Sequence, residues 1–388
     1  MNQHDTDDQD PTPALTRRQA ISRGAGGLVA LSSLPAFLAA CGSSSGGSTT
    51  GAKTATGQTG PTPASQVVGN LVLLGYPDWY GPKEFSDFHA KYPGATVKNI
   101  ASGLSGAAQQ IAQLAQNKGS YDLTLAGINV AEQMKQAGLI EPFNASAVPS
   151  ISNVAPEFVK AYPYGIPTDF GRTGFGYRSD LIPERPTSWK ELWQLAAKYS
   201  GKTTMIKYDA DIQGSALKYL GYSVNTKDPA QLKAMQQALL QLKPHLKAMI
   251  DTDYSKQLVQ GTAFFAIDYD YDIALAQQSN KNITWVQPTE GVPAYLEGWI
   301  ALNSSKHLPA VWALMDFHLQ PKNYASFVNA TGTAYTNPAA DPFIKRSISQ
   351  NPILKYTPAA LKGVEFEKFL GAEQTAARGK LWEAFLAA

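Results

Sequence analysis

The stretch Phe264-Phe265-Ala266-Ile267-Asp268-Tyr269-Asp270-Tyr271-Asp272 puts alternating carboxylates and phenols directly after an apolar run that reads as a buried strand. In an open α/β sheet, ligands bind in the crevice beyond the carboxyl ends of the strands, so a site is expected here. Carboxylates hold ammonium groups by charge-assisted hydrogen bonds, and ring faces attract them by about 0.5–2 kcal/mol each. The chemistry suggested is capture of a cation. An extended backbone turns Asp268, Asp270 and Asp272 one way and Tyr269 and Tyr271 the other, whereas a helix starting near Asp270 makes that residue its cap. Asp268 leads the candidates because a strand-end carboxylate has no helix to serve. Asp270 and Asp272 also fit the cap and first turn of a helix over 273–278.

The same pairing of acid and ring recurs after other expected strands. Residues 67–74 form an apolar run ending in Gly75-Tyr76-Pro77-Asp78-Trp79-Tyr80-Gly81-Pro82, a loop that carries Tyr76, Asp78 and Trp79. Residues 203–207 form another, which empties into Tyr208-Asp209-Ala210-Asp211 and a helix to Tyr219. Asp209 and Asp211 serve equally well as N-caps there. Tyr295 and Glu297, two apart on an extended return over 291–302, share a face.

The elements that must position these residues follow a strand, turn, helix rhythm typical of parallel sheets. Helices are expected over 83–91, 106–117 and 130–138, and strands over 96–100 and 121–127. The glycine-rich segment 164–177 reads as a crossing between two lobes. Ser188 and Glu191 form a capping box, and Asp228-Pro229 opens a helix whose stripe Leu232, Met235, Leu239, Leu242 is core. A strand over 283–286 and helices over 310–319, 323–329 and from Phe366 to the end complete the reading.

The chain has 388 residues, 44% of them apolar and 16% charged, enough for a sizeable core and two domains. Thr16-Arg17-Arg18-Gln19-Ala20-Ile21 precedes an uncharged, largely apolar run ending Leu38-Ala39-Ala40-Cys41. An arginine pair, an apolar run and small residues make a twin-arginine export signal over 1–40. The run is too short and too rich in Gly and Ser for a membrane span. Cys41, the only cysteine, stands where a lipobox would place it, and the resemblance to bacterial lipoproteins implies a lipid on its sulfur. Residues 41–65 form a flexible tether. Removing 1–40 leaves 30 basic against 27 acidic residues, so no nucleic-acid footprint is expected.

Catalytic and metal constellations fail on their own requirements. The five histidines show no ligand spacing, and no serine sits in a nucleophile elbow. Gly201-Lys202-Thr203 resembles the end of a phosphate loop, yet position 196 is Ala. A calcium loop starting at Asp268 would need Gly where Ile273 stands and Glu where Ser279 stands. No cofactor, metal or catalytic residue is assigned.

Tyr76-Pro77-Asp78-Trp79, Tyr121-Asp122-Leu123, Tyr164-Gly165-Ile166-Pro167, Thr173-Gly174, Pro186 to Trp193, Leu220-Gly221-Tyr222-Ser223 with Asp228-Pro229, and Trp285 to Gly291 stand in a fixed order and spacing. In that order they resemble the polyamine-binding (spermidine/putrescine) proteins of ATP-driven importers. The resemblance runs from about Leu71 to at least Asn337. It implies an α/β, two-lobed periplasmic-binding-protein type II fold with crossover hinge strands and a ligand cleft between lobes, lobe 1 being 66–167 with 297–340 and lobe 2 168–296 with 341–388. It implies a monomer that delivers a polyamine or similar small cation to an ABC permease, exported and held at the outer face of the cytoplasmic membrane or periplasmic.

By position, Tyr76 and Trp79 take the family's first-loop aromatics, Asp211 its second-lobe acid, and Tyr295 and Glu297 a Trp and an Asp. Gly127 and Asn129 stand where the family has Ser and an aromatic, and Asp268-Tyr269 where a Trp is common. The ligand-binding set is therefore Tyr76, Asp78, Trp79, Asn129, Asp209, Asp211, Asp268, Tyr269, Tyr295 and Glu297. Arg172, on the crossing strand, either repels a cation, pairs with Asp169, or anchors a ligand carboxylate. That last option keeps an amino-acid-like ligand open, clustered tyrosines keep ferric ion open, and paired carboxylates on an aromatic cleft keep a secreted carbohydrate-active enzyme open.

Overall fold

A computed structural model of the chain describes residues 60–101, 106–251, 253 and 255–388. The arginine pair, Cys41 and the tether up to residue 59 lie outside the described residues. The described strands are β1 Gly69–Leu74, β2 Ala95–Ile100, β3 Leu123–Gly127, β4 Ile166–Arg178, β5 Thr203–Ile206, β6 Leu246–Ile250, β7 Phe265–Tyr269, β8 Ile283–Val286, β9 Val292–Ala301, β10 Ala334–Tyr335 and β11 Val364–Phe366. They join in the order β2-β1-β3-β9-β4-β7-β5-β6, with β10 and β8 on β4 and β11 on β9.

Two groups of parallel strands lie at the ends of this order. β1 pairs in parallel with β2 and β3, and β5 with β6 and β7. Between them β4 and β9 run antiparallel, and β4 changes partners midway. Up to Arg172 it pairs with β9, and from Thr173 onward with β7. Its burial is continuous from Ile166 to Tyr177, so every side chain faces protein on one side or the other.

Each half has its own apolar core. Leu71, Leu123, Phe170, Ile300, Leu314 and Phe327 belong to one, and Phe175, Trp189, Met205, Leu239, Phe265 and Phe385 to the other. β4 contributes Phe170 to the first and Phe175 to the second. The two lobes are thus joined by strands that cross between cores. Ile344, Ile348, Ile353 and Leu354 pack into the first core.

Local signals place most helices. Glu191 N donates to Ser188 Oγ at 3.2 Å and Ser188 Oγ to Glu191 Oε2 at 2.8 Å, starting Trp189–Lys198 with the expected capping box. Asp228 accepts from Ala230 N at 2.8 Å at the head of Pro229–Leu242. Leu308–Leu319 is buried nearly all round, as a helix apolar on every face must be.

The C-terminal stretch differs from the sequence reading. Instead of a helix from Phe366, β11 pairs in parallel with the start of β9, and the helix begins at Ala372. Val364-Glu365-Phe366-Glu367 alternates with a strand's period of two. Its backbone also comes so close to β9 that a Cβ on Gly291 would lie 2.4 Å from Gly363 O. Glu365 fastens β11 sideways, accepting from Lys218 Nζ at 2.6 Å, Val224 N at 3.1 Å and Ser223 Oγ. These donors hold its carboxyl down to about 2 against the desolvation that opposes them. A folded-state value below the ordinary one adds stability above the unfolded value and loses it as pH falls through the folded one. Acid unfolding of Glu365→Gln, followed by circular dichroism, is expected to lack part of the wild type's stability loss between pH 4.5 and 2.

Candidate ligand-binding cleft

Two parallel pairs, β1 with β3 and β5 with β7, each send their carboxyl ends to one crevice, where an open α/β sheet binds its ligands. The loop after β1 supplies Tyr76, the turn from β3 into helix Ile128–Gln136 supplies Asn129, the turn after β5 supplies Tyr208, Asp209 and Asp211, and the end of β7 supplies Tyr269. From the crossing strand β9 come Tyr295 and Glu297, which share a face as expected. Together these residues line a cavity of about 270 Å³.

Asp211 is buried and held from two sides. Thr173 Oγ1 donates to its Oδ1 at 2.5 Å, and Tyr269 OH to its Oδ2 at 2.8 Å. The Tyr269 ring stands edge-on to Tyr295, centroids 5.6 Å apart, and tilted against Tyr208 at 6.1 Å. Tyr295 leans over the crossing strand so closely that a Cβ on Gly171 would sit 2.3 Å from its ring. Gly171→Ala is therefore expected to push Tyr295 into the cavity, lowering stability by about 1–3 kcal/mol in denaturant unfolding and weakening ligand binding.

Tyr76 is fixed by its loop. Asn99 Nδ2 donates to Tyr76 O at 2.8 Å, and Gly81 N to Glu84 Oε2 at 2.7 Å, with Glu84 Oε1 2.6 Å from the buried His318 Nδ1. Trp79 packs against Tyr76 and is not among the described residues lining this cavity. Its ring is edge-on to Tyr76 and Phe327, and its Nε1 donates to Asp169 Oδ1 at 3.3 Å.

Three sequence candidates are not among the described residues that line this cavity. Asp268 is fully buried within β7, opposite Gly174. Neighbours along a strand face opposite ways, and Tyr269 takes the cavity side. Asp78 sits exposed on its loop at φ 59°. Trp79, as above, supports rather than lines. Asp270 begins helix Asp270–Ser279 without capping it by a side-chain bond, and its Oδ2 instead accepts from Arg172 Nε at 2.7 Å. Arg172 pairs with Asp270, not Asp169. Its remaining nitrogens donate to Gln287 Oε1 at 2.8 Å, Ala360 O at 3.2 Å and Ile353 O. Burial nevertheless pushes the Asp270 carboxyl up, outweighing the pull of Arg172.

The structure adds residues the sequence reading missed. Gln110 lines the cavity while donating to Leu125 O at 2.7 Å and Thr124 Oγ1 at 3.0 Å. Glu367, just past β11, closes the cavity from the C-terminal side, its Oε1 out of solvent and without a hydrogen-bond partner. Burial, then repulsion from Asp211 and Asp209, push its carboxyl well above the usual range. Its signal was the strand alternation at 364–367. Beyond Asp209 and Glu367 the crevice opens into a second space of about 360 Å³, bordered also by Lys368 and Arg378.

Two lobes joined by crossing strands, with a polar cavity at the facing strand ends, define a solute-binding protein. The chain belongs to the bacterial extracellular solute-binding protein family, whose model matches residues 84–355. It is 28% identical over 328 residues to the putrescine/cadaverine-binding protein of Pseudomonas aeruginosa, covering 80% of this chain and 92% of that one. To the spermidine/putrescine-binding periplasmic protein of Escherichia coli it is 24% identical over 260 residues, 66% of this chain and 74% of that one. The solved spermidine/putrescine ABC transporter substrate-binding protein of Streptococcus pneumoniae superposes with a TM-score of 0.71 at 23% identity, over 82% of this chain and 98% of that one. Solute binding, not catalysis, is the family's business.

Proposed function

We propose that this chain is the substrate-binding component of an ATP-driven importer and captures a polyamine of the putrescine/spermidine class between its lobes. One observation carries the reading. Among the described residues, the inner cavity is lined by Asp209, Asp211, Glu297 and Glu367, with Tyr76, Tyr208, Tyr269 and Tyr295, and by no Lys or Arg. A linear cation with apolar methylenes between its ammonium groups matches this arrangement of acids and rings. Asp211 and Glu297 take ammonium groups, and the phenol rings flank the chain between them.

The carboxylate-ligand alternative loses its anchor, since Arg172 is buried and engaged by Asp270. The polyamines for which the Pseudomonas and Escherichia relatives are named support the same reading. The crossing strands let the lobes close on the ligand, and differential contacts in the closed state supply the bias. The protein acts as a monomer, exported through its arginine-pair leader and anchored by a lipid on Cys41, where it hands the ligand to a membrane permease. Cys41→Ser is expected to abolish incorporation of a labelled fatty acid and release the protein from membranes.

A thermal-shift panel tests the ligand, because a compound that binds only the folded state raises its melting temperature. Putrescine, cadaverine and spermidine are expected to give saturable shifts, and γ-aminobutyrate and ferric citrate none. Shifts by γ-aminobutyrate or ferric citrate alone would replace the polyamine reading. Proton exchange offers a second check. An ammonium beside Glu367 favours its ionised form, so a carboxyl held high in the free protein gives up its proton when the ligand binds. Affinity therefore rises with pH through that group's titration, and calorimetry in buffers of different ionisation enthalpy is expected to show net proton release that Glu367→Gln removes.

A further inference from the structure

We infer that the buried pair Arg172–Asp270 is a positioning device for Asp211, setting ligand affinity without touching ligand; the inference rests on the polyamine reading above. The two hydroxyls that hold Asp211 come from Thr173 and Tyr269. Thr173 and Tyr269 are themselves partners across β4 and β7. Their chain neighbours, Arg172 and Asp270, form the ion pair at 2.7 Å, with side chains 3% and 0% exposed. One staple therefore closes the same two backbones whose next residues grip the cavity carboxylate.

Arg172 also stands where β4 leaves β9 and joins β7, at the change of lobe. Its guanidinium reaches Asp270 and Gln287 on the second-lobe side and the carbonyls of Ile353 and Ala360 in the connection that leaves the first core. A planar fork with five donors is suited to holding several acceptors in a fixed geometry. Core packing alone would need no such fan of acceptors, since a buried ion pair is often replaceable by apolar residues of similar volume without loss of stability. What apolar residues cannot reproduce is the fixed register between β4 and β7 at the point where two hydroxyls converge on one carboxylate.

The test compares polyamine titrations and thermal melts of the wild type, Asp211→Asn, the double variant Arg172→Met with Asp270→Leu, and the triple combination. The double variant is expected to melt near the wild type and to bind putrescine and spermidine at least tenfold more weakly. In the Asp211→Asn background the same two substitutions are expected to change affinity less than twofold. Should the double variant not fold, Arg172→Lys keeps the charge opposite Asp270 and loses the fork; it is expected to weaken binding several-fold in the wild-type background alone. Unaltered affinity in the folded variants, or an equal loss with and without Asp211, overturns the assignment. If the wild type binds no polyamine, the ligand reading fails and this assignment with it.

Discussion

Asp211→Ala is expected to lower polyamine affinity by roughly 30-fold to several thousand-fold, the largest effect on binding of any single truncation in the cleft. Removing one partner of a buried, hydrogen-bonded charge pair costs about 2–5 kcal/mol, and each 1.4 kcal/mol is about tenfold in affinity. Asp211 meets the condition for the upper part of that range. It is 6% exposed and oriented by Thr173 and Tyr269, so it offers a fixed carboxylate at no reorganisation cost. Truncation removes the charge and takes the common acceptor away from both hydroxyls. Isothermal titration of the folded variant, its fold confirmed by circular dichroism, reads the loss directly. Asp209, exposed on the first turn of helix Asp209–Tyr219, is expected to contribute less, because water screens it.

Trp79→Ala is expected to destabilise the fold by about 3–5 kcal/mol, a large fraction of a typical domain's stability. The ring is 7% exposed, packs edge-on against Phe327 with centroids 6.0 Å apart, and supplies a donor to Asp169. Denaturant unfolding measures the loss. Trp79→Phe keeps most of the packing and is expected to retain ligand affinity within a few-fold. A residue that stacked on the ligand would behave the other way, losing affinity at constant stability. The pair of variants thus separates a wall from its support.

Much of this arrangement was legible because strand ends and helix caps are local. The runs before Tyr76, Tyr208 and Tyr269 announce buried strands, and the residues following them were expected at the crevice, where Tyr76, Asp209, Asp211 and Tyr269 indeed line the cavity. Tyr295 and Glu297 follow from period two alone. At Asp268 the alternation offers two faces, and Tyr269 rather than Asp268 is among the described residues lining the cavity. The partner of Arg172 was equally hidden. Asp169 is near in sequence, but Asp270 is brought opposite by the register of Thr173 with Tyr269, a contact between residues nearly a hundred positions apart. Glu367 was lost because the helical reading of the C-terminus erased the strand that delivers it to the cavity.

On the proposed reading, the acids and rings of the inner cavity receive an elongated cation. Isothermal titration calorimetry of the purified protein with putrescine, spermidine and γ-aminobutyrate tests it most directly. One-to-one, saturable binding of a polyamine, weakened by salt and absent for γ-aminobutyrate, is the predicted result. Binding of γ-aminobutyrate with no heat from either polyamine would contradict it.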